Sequence, residues 1–260
     1  MRPDVIALRN FYDRPLGDVA ARLIARRVER LWPDVRGLHL AGIGYAVPVM
    51  DRMSGDYASR IALMPARQGV VHWPGTSRNA AALVDEDALP LPDASFDRIL
   101  LLHALEVAEH QRNLLREVWR ILAPNGRLIV IVPRRRGVWA GFERTPFGSG
   151  QPYSSRQLEQ VLASQLLPVA NIRRSLFLPP LGILARPELM VAAEKLGTTV
   201  LRGLGGILIV EAEKQIYRAI EGGARVRPGF AAVNGPGQLL PPLAPTARGP
   251  VPQPRDRGNA

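Results

Sequence analysis

Residues 98–132 constrain the fold of this chain more than any other stretch. Ile99-Leu100-Leu101-Leu102 and Leu128-Ile129-Val130-Ile131-Val132 are continuous apolar runs, the pattern of strands buried on both faces of a parallel sheet. Between them Val107, Leu114, Leu115, Val118, Ile121 and Leu122 fall at helical spacing over residues 106–122, and Pro124-Asn125-Gly126 ends that helix. Pro90 and Pro92 lack the amide hydrogens that an interior strand donates, which places Leu89–Asp93 in the connection before the first strand. Strand, helix and strand in this order form a βαβ unit, and a chain built around one folds as an α/β protein.

The flanking sequence adds elements of the same kind. Val19, Ala20, Leu23, Ile24, Val28 and Leu31 give one apolar face to a helix over residues 16–31. Gly37–Ala41 reads as a first strand, Gly42-Ile43-Gly44-Tyr45-Ala46 as a turn, and residues 47–53 as a short helix. Ser59–Met64 and Ala81–Val84 read as strands, 141–152 as a loop, and 154–166 as a helix capped by Ser154. Val169–Phe177 is a sixth strand, 179–204 an apolar insertion, and residues 206–212 the last strand. Beyond Gly222 the composition turns to Pro, Gly and Arg, which cannot bury enough apolar area to offset ordering entropy. One domain over 1–221 and a disordered tail over 222–260 are therefore expected.

The formal charge of +11 invites a nucleic-acid partner. Five arginines of the excess lie in the tail, and much of the rest decorates helix faces through Arg22, Arg26, Arg27 and Arg30. This distribution points to solvated surface and away from nucleic acid. The chain contains no cysteine, which excludes disulfides, zinc–thiolate sites and iron–sulfur clusters. Neither an apolar stretch of membrane-spanning length nor a signal-peptide core is present, so a soluble, cytoplasmic protein without a transmembrane segment is expected.

The order Leu89-Pro90-Leu91-Pro92-Asp93, Phe96-Asp97, apolar strand, helix and Leu122-Ala123-Pro124-Asn125-Gly126 resembles the second half of class I S-adenosylmethionine (SAM) methyltransferases of the type 11 kind. The resemblance covers about residues 36–212 and is most specific from Asp87 to Val132. It implies a Rossmann-like, doubly wound, mostly parallel seven-stranded sheet with helices on both faces and an antiparallel last strand. It also implies SAM as cofactor and methyl transfer to an acceptor that the sequence does not identify, with an apolar pocket from Trp139, Phe142 and Phe147. Lack of cysteine rules out radical SAM chemistry and the thiol nucleophile of cytosine carbon-5 methylation.

Carried over position by position, the resemblance places Gly42, Gly44 and Ala46 in the glycine motif that approaches the cofactor, with Ala46 standing for the third glycine. Leu40 replaces the acidic residue of that motif, and Met64 stands where a carboxylate meets the ribose hydroxyls. Each lost charged hydrogen bond is worth about 1.5–3 kcal/mol. Asp87 is assigned to the adenine amino group and Ala88 and Leu89 to the ring, with Asp85 and Glu86 as rival acceptors. His103 follows the fourth strand, where it would face the methyl group as base or pocket lining; Glu106 and His110 are possible companions. Tyr12 is the aromatic that would cover the cofactor. No metal is expected, since His103, Glu106 and His110 lack a further carboxylate cluster.

Two other classes stay open at the level of sequence. Leu40 and Met64 are equally compatible with a methyltransferase-like binding or regulatory module that has lost catalysis. A dinucleotide-binding oxidoreductase would use the same glycines, although Ala46 falls short of its third glycine and no acidic residue follows the second strand.

Overall fold

The computed structural model describes residues 2–75, 78–180, 187–197 and 205–215. The tail expected over 222–260 lies outside them, as do 181–186 and 198–204 of the apolar insertion. Seven strands form one sheet in the order β3-β2-β1-β4-β5-β7-β6, with β1 His39–Gly44, β2 Ser59–Pro65, β3 Ala81–Val84, β4 Phe96–Leu102, β5 Leu122–Pro133, β6 Val169–Ser175 and β7 Ile207–Glu213. Six strands share one direction, and β7 runs antiparallel to both β5 and β6. This is the Rossmann-like, doubly wound architecture that the family resemblance implies.

Alternation along the strands explains why helices cover both faces. Leu40, Met64, Leu100, Leu102, Ile129, Ile131, Ile207 and Ile209 turn to one side and pack with α1 (Val5–Tyr12), α2 (Pro15–Leu31) and α3 (Val47–Met50). Ile43, Leu63, Ile99, Leu101, Leu128, Val130 and Val210 turn to the other and meet α4 (Gln111–Ile121) and α5 (Ser155–Ala163). The central strands therefore need apolar residues at every position, as the runs at 99–102 and 128–132 display. Ser154 caps α5 in a reciprocal capping box with Gln157.

Several boundaries differ from the periodicity. The helix expected over 106–122 begins only at Gln111, because residues 103–109 form the turn that carries His103. The helix expected over 47–53 is one turn long. β1 continues to Gly44, since its backbone pairs with β4 through Gly44–Leu102. Helix α1 is absent from the sequence reading; Asp4 caps it by accepting from the Ala7 amide at 2.7 Å, and Val5, Leu8, Phe11 and Tyr12 form its buried face. Among the described residues no helix is long and apolar enough to cross a membrane.

Helix α6 (Pro187–Gly197) is fastened by one buried carboxylate. Glu194 accepts from Arg27 of α2 at 3.0 and 3.2 Å, from the Ser175 hydroxyl at 2.6 Å and from the Leu176 amide at 3.1 Å. Removing one partner of a buried pair leaves the other charge uncompensated. Glu194→Ala is therefore expected to lower unfolding stability by about 3–5 kcal/mol in urea titrations; a change within about 0.5 kcal/mol, the range of ordinary surface substitutions, would refute the assignment.

Candidate functional site

The chain leaves β1 outward to β2 and β3 and returns to β4 on the other side of β1, which puts the topological switch point at the carboxyl ends of β1 and β4. Gly44, at φ +83°, adopts a backbone conformation that favours glycine. A Cβ there would lie 2.3 Å from the Leu102 carbonyl oxygen and 2.9 Å from Ala104 Cβ. The next amide, Tyr45, donates to Leu102 O at 2.8 Å. At Gly42 a Cβ would lie 2.3 Å from Met50 Sδ and 2.7 Å from Ala46 Cβ. Both glycines thus allow close approach of the chain to itself, and Ala46 belongs to that packing. Leu40, where the resembling family carries an acid, is fully buried in the core.

His103 caps the switch point with a left-handed backbone, φ +54°, a conformation that costs a non-glycine residue about 1–3 kcal/mol and concentrates at functional sites. Its ring is 1% exposed. The Nδ1–H donates to Glu106 Oε1 at 3.3 Å, and the Tyr12 hydroxyl donates to Nε2 at 2.8 Å. Because a carboxylate only accepts, this pattern assigns a ring proton to Nδ1. Burial first, then the nearby Glu106 carboxylate and Tyr45, push the Tyr12 phenol well above its ordinary pKa, so it stays a donor. Phe147 packs on the His103 ring at 4.8 Å, and Phe11 and Tyr45 lie 5.0 and 5.9 Å from the Tyr12 ring.

The N-terminal arm lies across this edge. Arg2 donates to Glu86 at 2.6 and 2.9 Å and to Val107 O at 3.0 Å. The Val5 amide donates to Gln68 O, and the Gln68 side chain donates to His103 O at 3.1 Å. Tyr12, Tyr45, Ala46 and Met64 are each at most 4% exposed. Met64 lies beneath the surface, its sulfur accepting from the Val71 amide at 3.4 Å.

Beyond β2 and β3 a cavity of about 240 Å³ is walled by Pro65, Ala66 and Val84 and rimmed by Arg2, Asp85, Glu86, Asp87 and His110, among others. Asp87 Oδ2 accepts from His110 Nδ1 at 2.7 Å. His110 therefore joins Asp87, while Glu106 alone joins His103. The amides of Asp87, Ala88 and Leu89 are engaged within the protein, by Asp85 Oδ1 at 2.9 Å, Asp85 O at 3.3 Å and Glu117 Oε2 at 2.9 Å. Ala88 is exposed and Leu89 buried, so Leu89 serves the core. Among the described residues no group of three or more acidic or histidine side chains could hold a metal ion.

Of eight buried side-chain polar atoms without partners among the described residues, five lie on the same edge; the other three belong to Trp32 after α2, Arg98 at the start of β4 and Trp119 in α4. Arg2 Nη1, Gln68 Oε1, Asp87 Oδ1, Glu106 Oε2 and Tyr153 Oη follow β2, β3, β4 and β5 or reach them from the arm. The sequence reading overlooked Gln68, Tyr153 and Arg2. Only Asp4 followed by apolar residues at helical spacing signalled the arm; nothing local marks a pairing across 84 positions.

The proline turn after β3 is held by α4. Arg120 donates to Leu89 O, Leu91 O and Asp93 at 2.7–2.8 Å and pairs with Glu117 at 2.7 Å. The Arg120 guanidinium, against the effect of burial and with help from the Leu89 amide, holds the Glu117 carboxyl below its ordinary pKa. A depressed folded value contributes stability above the unfolded pKa and loses it as pH falls through the folded one. Glu117→Gln is expected to remove this contribution at neutral pH and to flatten that part of the acid limb, measured by urea unfolding between neutral and acidic pH. An acid limb identical to wild type would refute it.

Residues 65–130 match the family model described as a methyltransferase domain. No curated protein matches the chain. Among solved structures, an S-adenosylmethionine-dependent methyltransferase from Mesorhizobium loti is similar at TM-score 0.52 and 17% identity, covering 72% of this chain and 96% of that one. A putative methyltransferase of Haloferax volcanii, solved in complex with the Trm112 methyltransferase activator, is similar at TM-score 0.51 and 17% identity over 70% of this chain and 85% of that one. The chain thus carries a methyltransferase-domain signature over residues 65–130 and has the fold of class I S-adenosylmethionine-dependent methyltransferases.

Proposed function

We propose that this protein binds SAM at the carboxyl edge of the sheet and transfers its methyl group to a small, largely apolar acceptor. The gathering of partnerless buried polar atoms on that edge carries the reading. Each such atom costs about 1–3 kcal/mol when left bare, and a polar ligand there would relieve the cost.

The residues fit the two ends of the cofactor unequally. Pro65, Ala66 and Val84 offer apolar walls, and Asp87 Oδ1 an unengaged acceptor, to the adenine and its amino group. At the other end, Gly42, Gly44 and Ala46 pack against the chain itself, and Tyr12 and Met64 are buried. Admission of the methionyl part therefore requires α1 to shift. Bound SAM supplies a methyl group already activated as a sulfonium. The protein's part is to orient the acceptor and, through His103 backed by Glu106, to receive its proton.

The second reading is a binding module without catalysis, favoured by the burial of Leu40 and Met64 where charged contacts would lie. Isothermal titration of the full chain with SAM is expected to show saturable binding, displaced by S-adenosylhomocysteine and weakened roughly tenfold or more by Asp87→Ala. Absence of heat and of a thermal shift at millimolar SAM would overturn the proposal. Binding combined with no S-adenosylhomocysteine formation across a panel of phenols, amines and carboxylic acids would favour the module.

A further inference from the structure

We propose that the methyl acceptor is a hydroxyl group carried on an aromatic ring, and that the phenol of Tyr12 occupies the acceptor's place on His103. This inference rests on the methyltransferase reading and adds to it the class of substrate. His103 presents one nitrogen to Glu106 and the other to a phenolic hydroxyl at 2.8 Å. That is the arrangement a base needs when it takes a proton from an aryl alcohol: a carboxylate behind the ring to fix its tautomer, and the hydroxyl in front.

The surroundings suit a flat ring. Tyr45 lies 5.9 Å from the Tyr12 ring, while Phe147 covers the imidazole at 4.8 Å, and neither belongs to α1. The occupant also arrives on an element that is not part of the sheet. Helix α1 is held to the edge by Arg2–Glu86, by the Val5–Gln68 bond and by the apolar face of Val5, Leu8 and Phe11. Its turn into α2 is tight, since a Cβ on Gly17 would lie 2.1 Å from Phe11 O, so Tyr12 is delivered in a fixed register. Among the described residues the one hydrogen-bond partner of the Tyr12 hydroxyl is His103, which lies beyond the end of β4.

With Tyr12 withdrawn, transfer to a phenol forms the aryl O–CH3 bond and breaks the sulfonium S–CH3 bond, releasing S-adenosylhomocysteine. The phenolic proton goes to His103 Nε2 and from there to water. Glu106 touches no substrate in this scheme and is a positioning residue.

The experiment uses full-length Tyr12→Ala and two probes, 4-methylphenol, which is the missing side chain, and 4-methylanisole, the same ring with its hydroxyl blocked. By titration without any methyl donor, the variant is expected to prefer 4-methylphenol roughly tenfold, the scale of one buried hydrogen bond, and His103→Leu added to it is expected to abolish the preference. Equal affinity for the two probes, or binding of neither by a cooperatively folded variant, overturns the proposal; Tyr12→Leu provides the same comparison should the alanine variant unfold. With SAM added, the Tyr12→Ala protein is expected to convert 4-methylphenol to 4-methylanisole, and Glu106→Gln to reduce kcat at least tenfold with KM within threefold. A hydroxyl preference without SAM binding would sink the methyltransferase reading and keep the aryl-hydroxyl site, whereas SAM binding without the preference would do the reverse.

Discussion

The contact between Gly44 and the end of β4 is the constraint from which the site follows. Because residue 44 has no side chain, the Leu102 carbonyl can accept from the Tyr45 amide at 2.8 Å. The chain must then turn away abruptly, and it does so through the left-handed backbone of His103. That turn fixes the imidazole under Phe147 and within reach of both Glu106 and Tyr12. A side chain at 44 would separate β1 from β4 and remove the reason for the turn.

Glycine motifs at strand ends are commonly read as cradles for a ligand. Here the same residues serve chain packing, with Met50 against Gly42 and Ala46 beside it. The two roles are compatible, since a backbone drawn close to its neighbours is also one whose surface lies near an incoming ligand. What separates them is the arm, because α1 brings Tyr12 onto the edge and leaves little surface exposed at Tyr45, Ala46 and Met64. Cover of the edge and the hydrogen bond to His103 are thus joined in one element.

The sheet was legible in the sequence because buried parallel strands must be apolar throughout, as in 99–102 and 128–132, and because Pro90 and Pro92 mark where a ladder cannot run. Strand ends were less legible: β1 reaches Gly44 through backbone pairing with β4, which glycine composition conceals. His103 and Glu106 were within reach of pattern, being three apart after a strand. The pairing of His110 with Asp87, the Arg2–Glu86 bridge and Gln68 at His103 were not, since each joins residues far apart in the chain. No local propensity encodes such contacts; only the fold does.

The proline turn has one more consequence. Three successive amides, at Asp87, Ala88 and Leu89, are all engaged by Asp85 and Glu117. Around the cavity stand Asp85, Glu86, Asp87 and Glu109, with Arg2 already bound to Glu86 and Arg67 to Glu109. This mouth can accept hydrogen bonds but has no free backbone donor at those three positions to give. A guest carrying phosphate would therefore find no free backbone amide at those three positions, whereas an amino group would meet Asp87 Oδ1, which has no partner among the described residues.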